Sequence, residues 1–377
     1  LQLGPTSVAE TILITGGAGF IGRHLAAALL RTGRQVRVLD SLIEQVHPTG
    51  SRPAELDPDV DLIVGDVRDE AAVRAALRGV DAVVHLAAEV GVGQSMYSVD
   101  RYTSVNDYGT AVLFQQLIAK PVRRVVVASS MSVYGEGCYR TADGVVLTDV
   151  TRSGRNPDGS WDPLGPDGRP LAPVPTPETK PGALKSVYAI GKFVQERLTL
   201  TLTAQYGMEG AALRLWNAYG PGQALSNPYT GVLAIFASRI ANGQRPMIFE
   251  DGRQRRDFVH VRDVARAFVV ALDHRAANGE VFNVASGQDR SIETVARLQA
   301  ASMGRPDLEP EITGKARAGD IRHCLPDLGK IEARLGFNAT EDFMQGLAEL
   351  AEWVAGQSAN DRVAEARREL ELRGLVA

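Results

Sequence analysis

Cysteine is scarce in this chain: Cys138 and Cys324 are the only two in 377 residues. Two thiols cannot staple a chain of this length into a disulfide framework, which points to a reducing, cytoplasmic setting. No apolar run approaches the roughly 20 residues that a spanning helix needs, so no membrane partner is expected. No basic stripe dominates and the formal net charge is −4, so nucleic acid is not expected either. No metal site is assigned. Residues 1–10 lack the basic-then-apolar pattern of a signal peptide and begin without Met, and no fold role is assigned to them.

What is present is an alternation. Short β-branched runs at Thr11–Thr15, Val36–Leu39, Asp61–Val64, Asp81–Leu86 and Arg123–Ser129 are predicted strands. Between them lie helical patterns at Ile21–Arg31, Asp69–Leu77 and Val99–Ile118. Continuous apolar strands alternating with amphipathic helices imply an α/β fold of Rossmann type, a doubly wound parallel sheet covered on both faces. The segment 136–181 is rich in Gly, Pro and Asp and reads as one or two hairpins or an irregular excursion, a possible lid. Helix resumes at Ser186–Gln205, and a strand follows at Ala211–Leu215. The remainder alternates helices (231–242, 261–273, 291–303) with short strands (246–249, 281–284) and ends in a charged helical stretch at 341–370. The expected division is a dinucleotide-binding part at 11–210, containing the insertion, and a smaller mixed α/β part at 211–377 that binds substrate. Some segments of the second part return to the first.

Gly16, Gly19 and Gly22 follow the first predicted strand and open the first helix. Glycine there allows a tight turn, close approach of backbone to a pyrophosphate, and close helix–strand packing. The helix N-terminus then faces the phosphate charge. Asp40 ends the second strand, where a carboxylate accepts both ribose hydroxyls and repels a 2′-phosphate, favouring NAD over NADP. Asp66 and Val67, after the third strand, are placed to meet the adenine.

Tyr188 and Lys192 stand four apart in a helical pattern and share a face. A nearby ammonium would lower the phenol's pKa and make Tyr188 a general base. Alone, such a pair is an ordinary solvated helix face; after a glycine-rich dinucleotide loop it points to redox chemistry at a hydroxyl. Ser129 and Ser130 follow the valine-rich strand, beyond whose carboxyl end ligands of open α/β sheets bind.

These three elements in this order resemble the extended short-chain dehydrogenase/reductase family, in its NAD-dependent nucleotide-sugar epimerase and dehydratase branch. Further matches are His85-Leu86-Ala87-Ala88, Asn106 before Gly109-Thr110, Leu213 to Pro221, Arg256 to Asp263 and Arg317 to Asp320. The resemblance implies Ser130, Tyr188 and Lys192 as the catalytic set. It adds Phe20, Ile21, Leu86, Ala87, Ala88, Asn106 and Ser129 to the cofactor contacts. It places Asn217, Arg256 and Arg317 at the substrate diphosphate, which suits arginine chemistry, and Phe249 near the nucleotide base. It also implies a homodimer paired through the helical segments Val99–Ile118 and Ser186–Gln205.

The dehydratases and decarboxylases of this branch carry acidic residues just after the catalytic Ser/Thr, where this chain has Met131 and Ser132. Neither is an acid, which argues for reversible hydride transfer alone, a C4 epimerisation. The stretch Gln223–Leu233 and the long insertion resemble bacterial dTDP-L-rhamnose 4-epimerases, implying a dTDP-hexose. The alternatives are a UDP-glucose or UDP-glucuronate 4-epimerase, then a dehydratase or reductase, and, from another class, a non-catalytic NAD-sensing regulator.

Overall fold

The computed structural model describes residues 9–152, 154–357 and 361–376. Most of the N-terminal stretch 1–10 therefore lies outside the described residues. The centre is a seven-stranded parallel sheet. Its first five strands in chain order are β1 (Thr11–Thr15), β2 (Gln35–Asp40), β3 (Asp61–Val64), β4 (Ala82–His85) and β5 (Arg124–Ser130). Across the sheet the order is Glu280–Val284, Glu209–Leu215, β5, β4, β1, β2, β3. The order reverses between β1 and β4, and the crevice at that switch point is where α/β sheets receive ligands. Alternation drives the burial: Ile12 and Ile14 of β1 enter one apolar cluster, and Leu13 enters another on the opposite face. Helix α1 (Phe20–Arg31) turns Leu25, Ala26 and Leu29 onto the first face.

Three features differ from the pattern read in the sequence. The expected helix at 99–118 is α-helical only at Val99–Thr103 and Gly109–Ala119, with a π-helical turn at Ser104–Tyr108 between them. Gly191 of the long helix Val187–Gln205 packs on that turn, where a Cβ would come 3.1 Å from Asn106 Cβ. The final stretch is two helices, Phe343–Ala355 and Val363–Leu372, and residues 358–360 between them lie outside the described residues. A three-stranded sheet of Asn217–Tyr219, Arg255–His260 and Asp289–Ser291 extends the carboxyl side of the main sheet.

Within 136–181, Cys138–Arg140 pairs antiparallel with Val146–Leu147 and with Ala172–Thr176. Buried ion pairs fasten this segment to the C-terminal part. The Arg152 guanidinium donates to Glu136 at 2.8 Å and to Glu250 at 2.7 Å. Arg322 donates to Asp162 at 2.7 Å and to Asp251 at 2.5 Å.

Candidate active site

The carboxyl ends of β1, β4, β5 and Glu209–Leu215 open into one cavity of about 1090 Å³. Its cofactor end is built by the glycines. Gly16 sits at φ +69, and a Cβ on it would lie 2.7 Å from the Ala87 backbone N. A Cβ on Gly22 would come 2.4 Å from Gly17 Cα, so only glycine lets α1 approach the loop. The residue before α1 is Gly19, extended and without a capping side chain, which leaves the first-turn N–H groups open to an anion. Asp40 lines the cavity and accepts from Ala18 N at 3.0 Å and Leu42 N at 2.9 Å, so its carboxylate also shapes the loop. His47 lies 3.8 Å from Asp40, and burial lowers its pKa. Asp66 is held by Arg68 Nε at 2.9 Å, which keeps its carboxyl below the ordinary range. Phe20, Ile21, Val67, Leu86, Ala87 and Ala88 line the same end.

Ser130, Tyr188 and Lys192 meet at the floor of the cavity. Ser186 caps the helix that carries the latter two, accepting from Ala189 N at 3.1 Å. Tyr188 lines the cavity beside Ser130; burial raises the phenol's pKa and the neighbouring Ser130 works against the rise. Ser130 Oγ in turn accepts from Ser132 N at 3.1 Å and from Ser132 Oγ at 3.0 Å. Lys192 Nζ donates to Ala128 O at 3.0 Å and to Gln195 Oε1 at 2.9 Å, and burial pulls its pKa down to about 7. The shift of Tyr188 is upward with burial, against the lowering expected from the sequence. Lys192 gives two of its three N–H donors to these acceptors.

A buried polar network stands behind these groups. Ser129 Oγ donates to Glu196 Oε2 at 2.9 Å, and Arg214 clamps the same carboxylate at 2.9 and 2.7 Å. Gln195 Nε2 reaches Ala87 O at 3.1 Å and Thr110 Oγ1 at 3.0 Å. His85 bridges Thr15 and Thr110 at 2.7 and 2.8 Å, and burial lowers its pKa to about 3, so it is a neutral strut.

At the substrate end, Asn217, Phe249, Arg256 and Arg317 all reach the cavity wall. Arg256 is largely committed, donating to Arg322 O at 2.8 Å and Arg255 O at 2.9 Å. Arg317 is freer: it meets Asp320 at 3.3 Å, lies 5.5 Å over the Phe249 ring, and its Nε finds no partner among the described residues. Asn217 Oδ1 is likewise unpartnered among them.

Two expectations from sequence part from this geometry. Asn106 is absent from the cavity wall. Its amide is spent on Glu89, accepting from the backbone N at 2.7 Å and donating to the backbone O at 3.1 Å, so it holds the turn after β4. Among the described residues of 136–181 none lines the cavity, although Arg152 donates to the backbone O of Asp320, which does, at 2.9 Å. The outer walls come instead from the loop after β2, including Gln45 and His47, from 222–232, and from the helix Val363–Leu372. Sequence reading missed Glu89, Gln223 and Gln254, which also line the cavity. Each stood beside a motif that was read: Glu89 directly after Ala88, Gln223 at the head of the Gln223–Leu233 stretch, and Gln254 two residues before Arg256.

A dinucleotide loop at the switch point, with Ser, Tyr and Lys converging beside it, defines an NAD-dependent enzyme of the short-chain dehydrogenase type. The sequence profile described as the NAD dependent epimerase/dehydratase family matches residues 12–156 and 159–285, and the chain belongs to that family. It is 37% identical to the dTDP-L-rhamnose 4-epimerase of Burkholderia thailandensis, over 92% of this chain and 95% of that protein. It resembles the UDP-glucose 4-epimerase of Thermotoga maritima solved with UDP-glucose, with TM-score 0.74 and 28% identity over 92% of this chain and 98% of that one. It resembles equally the dTDP-glucose 4,6-dehydratase of Streptomyces venezuelae solved with NAD, with TM-score 0.74 and 28% identity over 92% and 97%. NAD is the family's cofactor, and the donor set fits it: side-chain-free backbone at Gly16, open N–H groups at the start of α1, and a carboxylate at Asp40.

Proposed function

We propose that this protein epimerises a nucleotide-diphosphate sugar at C4 through a transient 4-keto intermediate, most closely a dTDP-hexose such as dTDP-L-rhamnose. The observation that carries the reading is that Ser130, Tyr188 and Lys192 line one cavity and that the hydrogen-bond partner of Ser130 Oγ is Ser132, a neutral group. The dehydrating relatives' chemistry calls on acids where this chain has Met131 and Ser132. NAD held at Gly16, the first turn of α1 and Asp40 would supply a reversible hydride acceptor for C4. Tyr188 Oη takes the proton of the C4 hydroxyl and gives it back, and Ser130 Oγ holds that oxygen in line. Lys192 fixes the nicotinamide ribose and the floor of the site. Arg317, whose Nε donor finds no partner among the described residues, and Asn217, through its amide N–H group, bind the diphosphate, and Arg256 supports that segment. The base lies against Phe249.

The division at residue 210 into cofactor-binding and substrate-binding parts belongs to this reading. So does a homodimer, supported by Val99, Tyr108 and Ile190, large apolar side chains left exposed on the two helical segments expected to pair. The buried free thiols Cys138 and Cys324 support a cytoplasmic setting. Among the described residues no helix is long and apolar enough to cross a membrane.

The test is incubation of NAD-loaded protein with dTDP-L-rhamnose, UDP-glucose and UDP-glucuronate, read by NMR for the C4 epimer. Conversion is expected, fastest with the dTDP sugar, and absence of conversion of all three refutes the reading. Tyr188→Phe should lower kcat by about 10²–10⁴ with NAD binding intact; full activity would remove Tyr188 from its role.

A further inference from the structure

Arg152 belongs to the segment 136–181 and is absent from the cavity wall, yet its guanidinium binds three partners behind that wall. Its Nε donates to Glu136 at 2.8 Å, Nη1 to Glu250 at 2.7 Å and Nη2 to the backbone O of Asp320 at 2.9 Å. Glu250 directly follows Phe249, and Asp320 stands three residues after Arg317. Phe249, Arg317 and Asp320 all line the cavity. One side chain of the insertion therefore reaches both segments that form the substrate end.

Glu250 is the fixed point of this arrangement. It is 1% exposed and sits at φ +57, a left-handed conformation that a residue other than glycine keeps only where its surroundings hold it. Its backbone N donates to Lys315 O at 2.9 Å and its O accepts from Gly314 N at 3.1 Å, which ties it to the chain just before Arg317. Arg152 ties its carboxylate to Asp320, just after Arg317. The loop that carries Arg317 is thus held to Glu250 on both flanks, and the two ties set where Arg317 stands over the Phe249 ring, 5.5 Å away. The second tie suits a guanidinium, whose planar fork serves separated acceptors in fixed directions, whereas a lysine ammonium is a point charge.

We propose that Arg152 is a positioning residue: it holds Arg317 in register with Phe249, so that the insertion sets nucleoside-diphosphate affinity from behind the wall. The inference rests on the reading of the cavity as a nucleotide-sugar site with its diphosphate at Arg317. Without Arg152 both carboxylates keep partners. Glu136 still accepts from Arg322 N at 2.8 Å and from Tyr139 Oη at 2.6 Å, and Glu250 from Arg322 Nη1 at 3.1 Å. The loop also keeps its pairing with the tail, where Ala318 N donates to Leu375 O at 2.8 Å. What is lost is the register of Arg317.

The test is a double-mutant cycle read by calorimetric binding of dTDP to the NAD-loaded full chain. Arg152→Met should weaken dTDP binding about tenfold, the size of coupling expected within one polar network, and leave NAD affinity unchanged. In an Arg317→Ala background the same substitution should change dTDP affinity by about twofold or less, because the group it positions is gone. Unchanged dTDP affinity in Arg152→Met, or an equal loss in both backgrounds, overturns the proposal; the second result is what a merely structural residue gives. Should Arg152→Met not fold, Arg152→Lys, which keeps the charge without the fork, takes its place in the cycle with the same expectations. Should neither fold, NMR of the wild type decides: dTDP must slow solvent exchange of the Arg152 Nε–H, and unchanged exchange contradicts the clamp. Failure of dTDP and UDP alike to bind the folded, NAD-loaded wild type would refute the nucleotide-sugar reading, and the role of Arg152 with it.

Discussion

Lys192 Nζ lies 2.9 Å from Gln195 Oε1, one turn further along the same helix, and the Gln195 amide is itself anchored to Ala87 O and Thr110 Oγ1. The lysine is held from below by a side chain that also grips the turn after β4, so cofactor wall and catalytic floor share one buried strut. Burial disfavours the ammonium and draws its pKa down to about 7, while Ala128 O and Gln195 Oε1 accept two of its N–H groups.

Gln195→Leu removes one of those acceptors. A hydrogen bond to a charged group contributes about 1.5–3 kcal/mol, so kcat should fall about 10- to 100-fold. The lysine pKa should drop below about 7, moving the alkaline limb of the kcat–pH profile to lower pH. A variant that loses only thermal stability, with its profile unmoved, would make Gln195 a packing residue and nothing more.

Gly16→Ala places a methyl 2.7 Å from Ala87 N at a backbone φ of +69. Positive-φ strain and overpacking together should cost about 2–4 kcal/mol and prevent NAD loading. Gly79, at φ +70 in open space, is the control, with strain but no clash. Thermal melts with and without NAD separate the two: comparable losses in both variants would mean that the close approach at Gly16 does not matter.

Asp257 is fully buried and accepts from Ser286 N at 2.7 Å, while its Oδ2 finds no partner among the described residues. Burial raises its pKa to about 6 from 3.8. The folded state therefore binds this proton more tightly than the unfolded chain. The ionisation penalty is absent below pH 3.8 and complete above about pH 6. Asp257→Asn should then be more stable than the wild type above pH 6, by at most about 3 kcal/mol, with the difference closing as pH falls toward 4. Denaturant melts across that range check it; a difference independent of pH contradicts the cause.

The central sheet was legible because its signal is local. Runs such as Arg123–Ser129 are apolar throughout, and glycine spacing after β1 marks the switch point without knowledge of any contact. The Ser130, Tyr188 and Lys192 set was legible once two distant motifs were taken together, and the cavity brings all three to its floor. What stayed hidden depends on partners far away in the chain. Asn106 looks like a cofactor contact until the π-helical turn shows its amide bound to Glu89. The segment 136–181 reads as a lid because turn residues say nothing about where a loop lands; Arg152 and Asp162 carry it to Glu250, Asp320 and Arg322, behind the cavity wall rather than over its opening. The strand Arg255–His260 carries three charged residues in a row, Arg255-Arg256-Asp257, which masks its pairing with Asp289–Ser291. The helix Val363–Leu372 mixes charged residues with apolar ones, and its apolar stripe gains meaning from the cavity it faces.

The most direct test of the mechanism follows a deuterium label at C4 of a dTDP-hexose through turnover by the NAD-loaded enzyme. Hydride leaving and returning within one closed site predicts a C4-epimerised product that keeps its deuterium at C4, with no net formation of reduced cofactor. A 4-keto-6-deoxy product, or an epimer whose C4 label has been lost, would contradict the account.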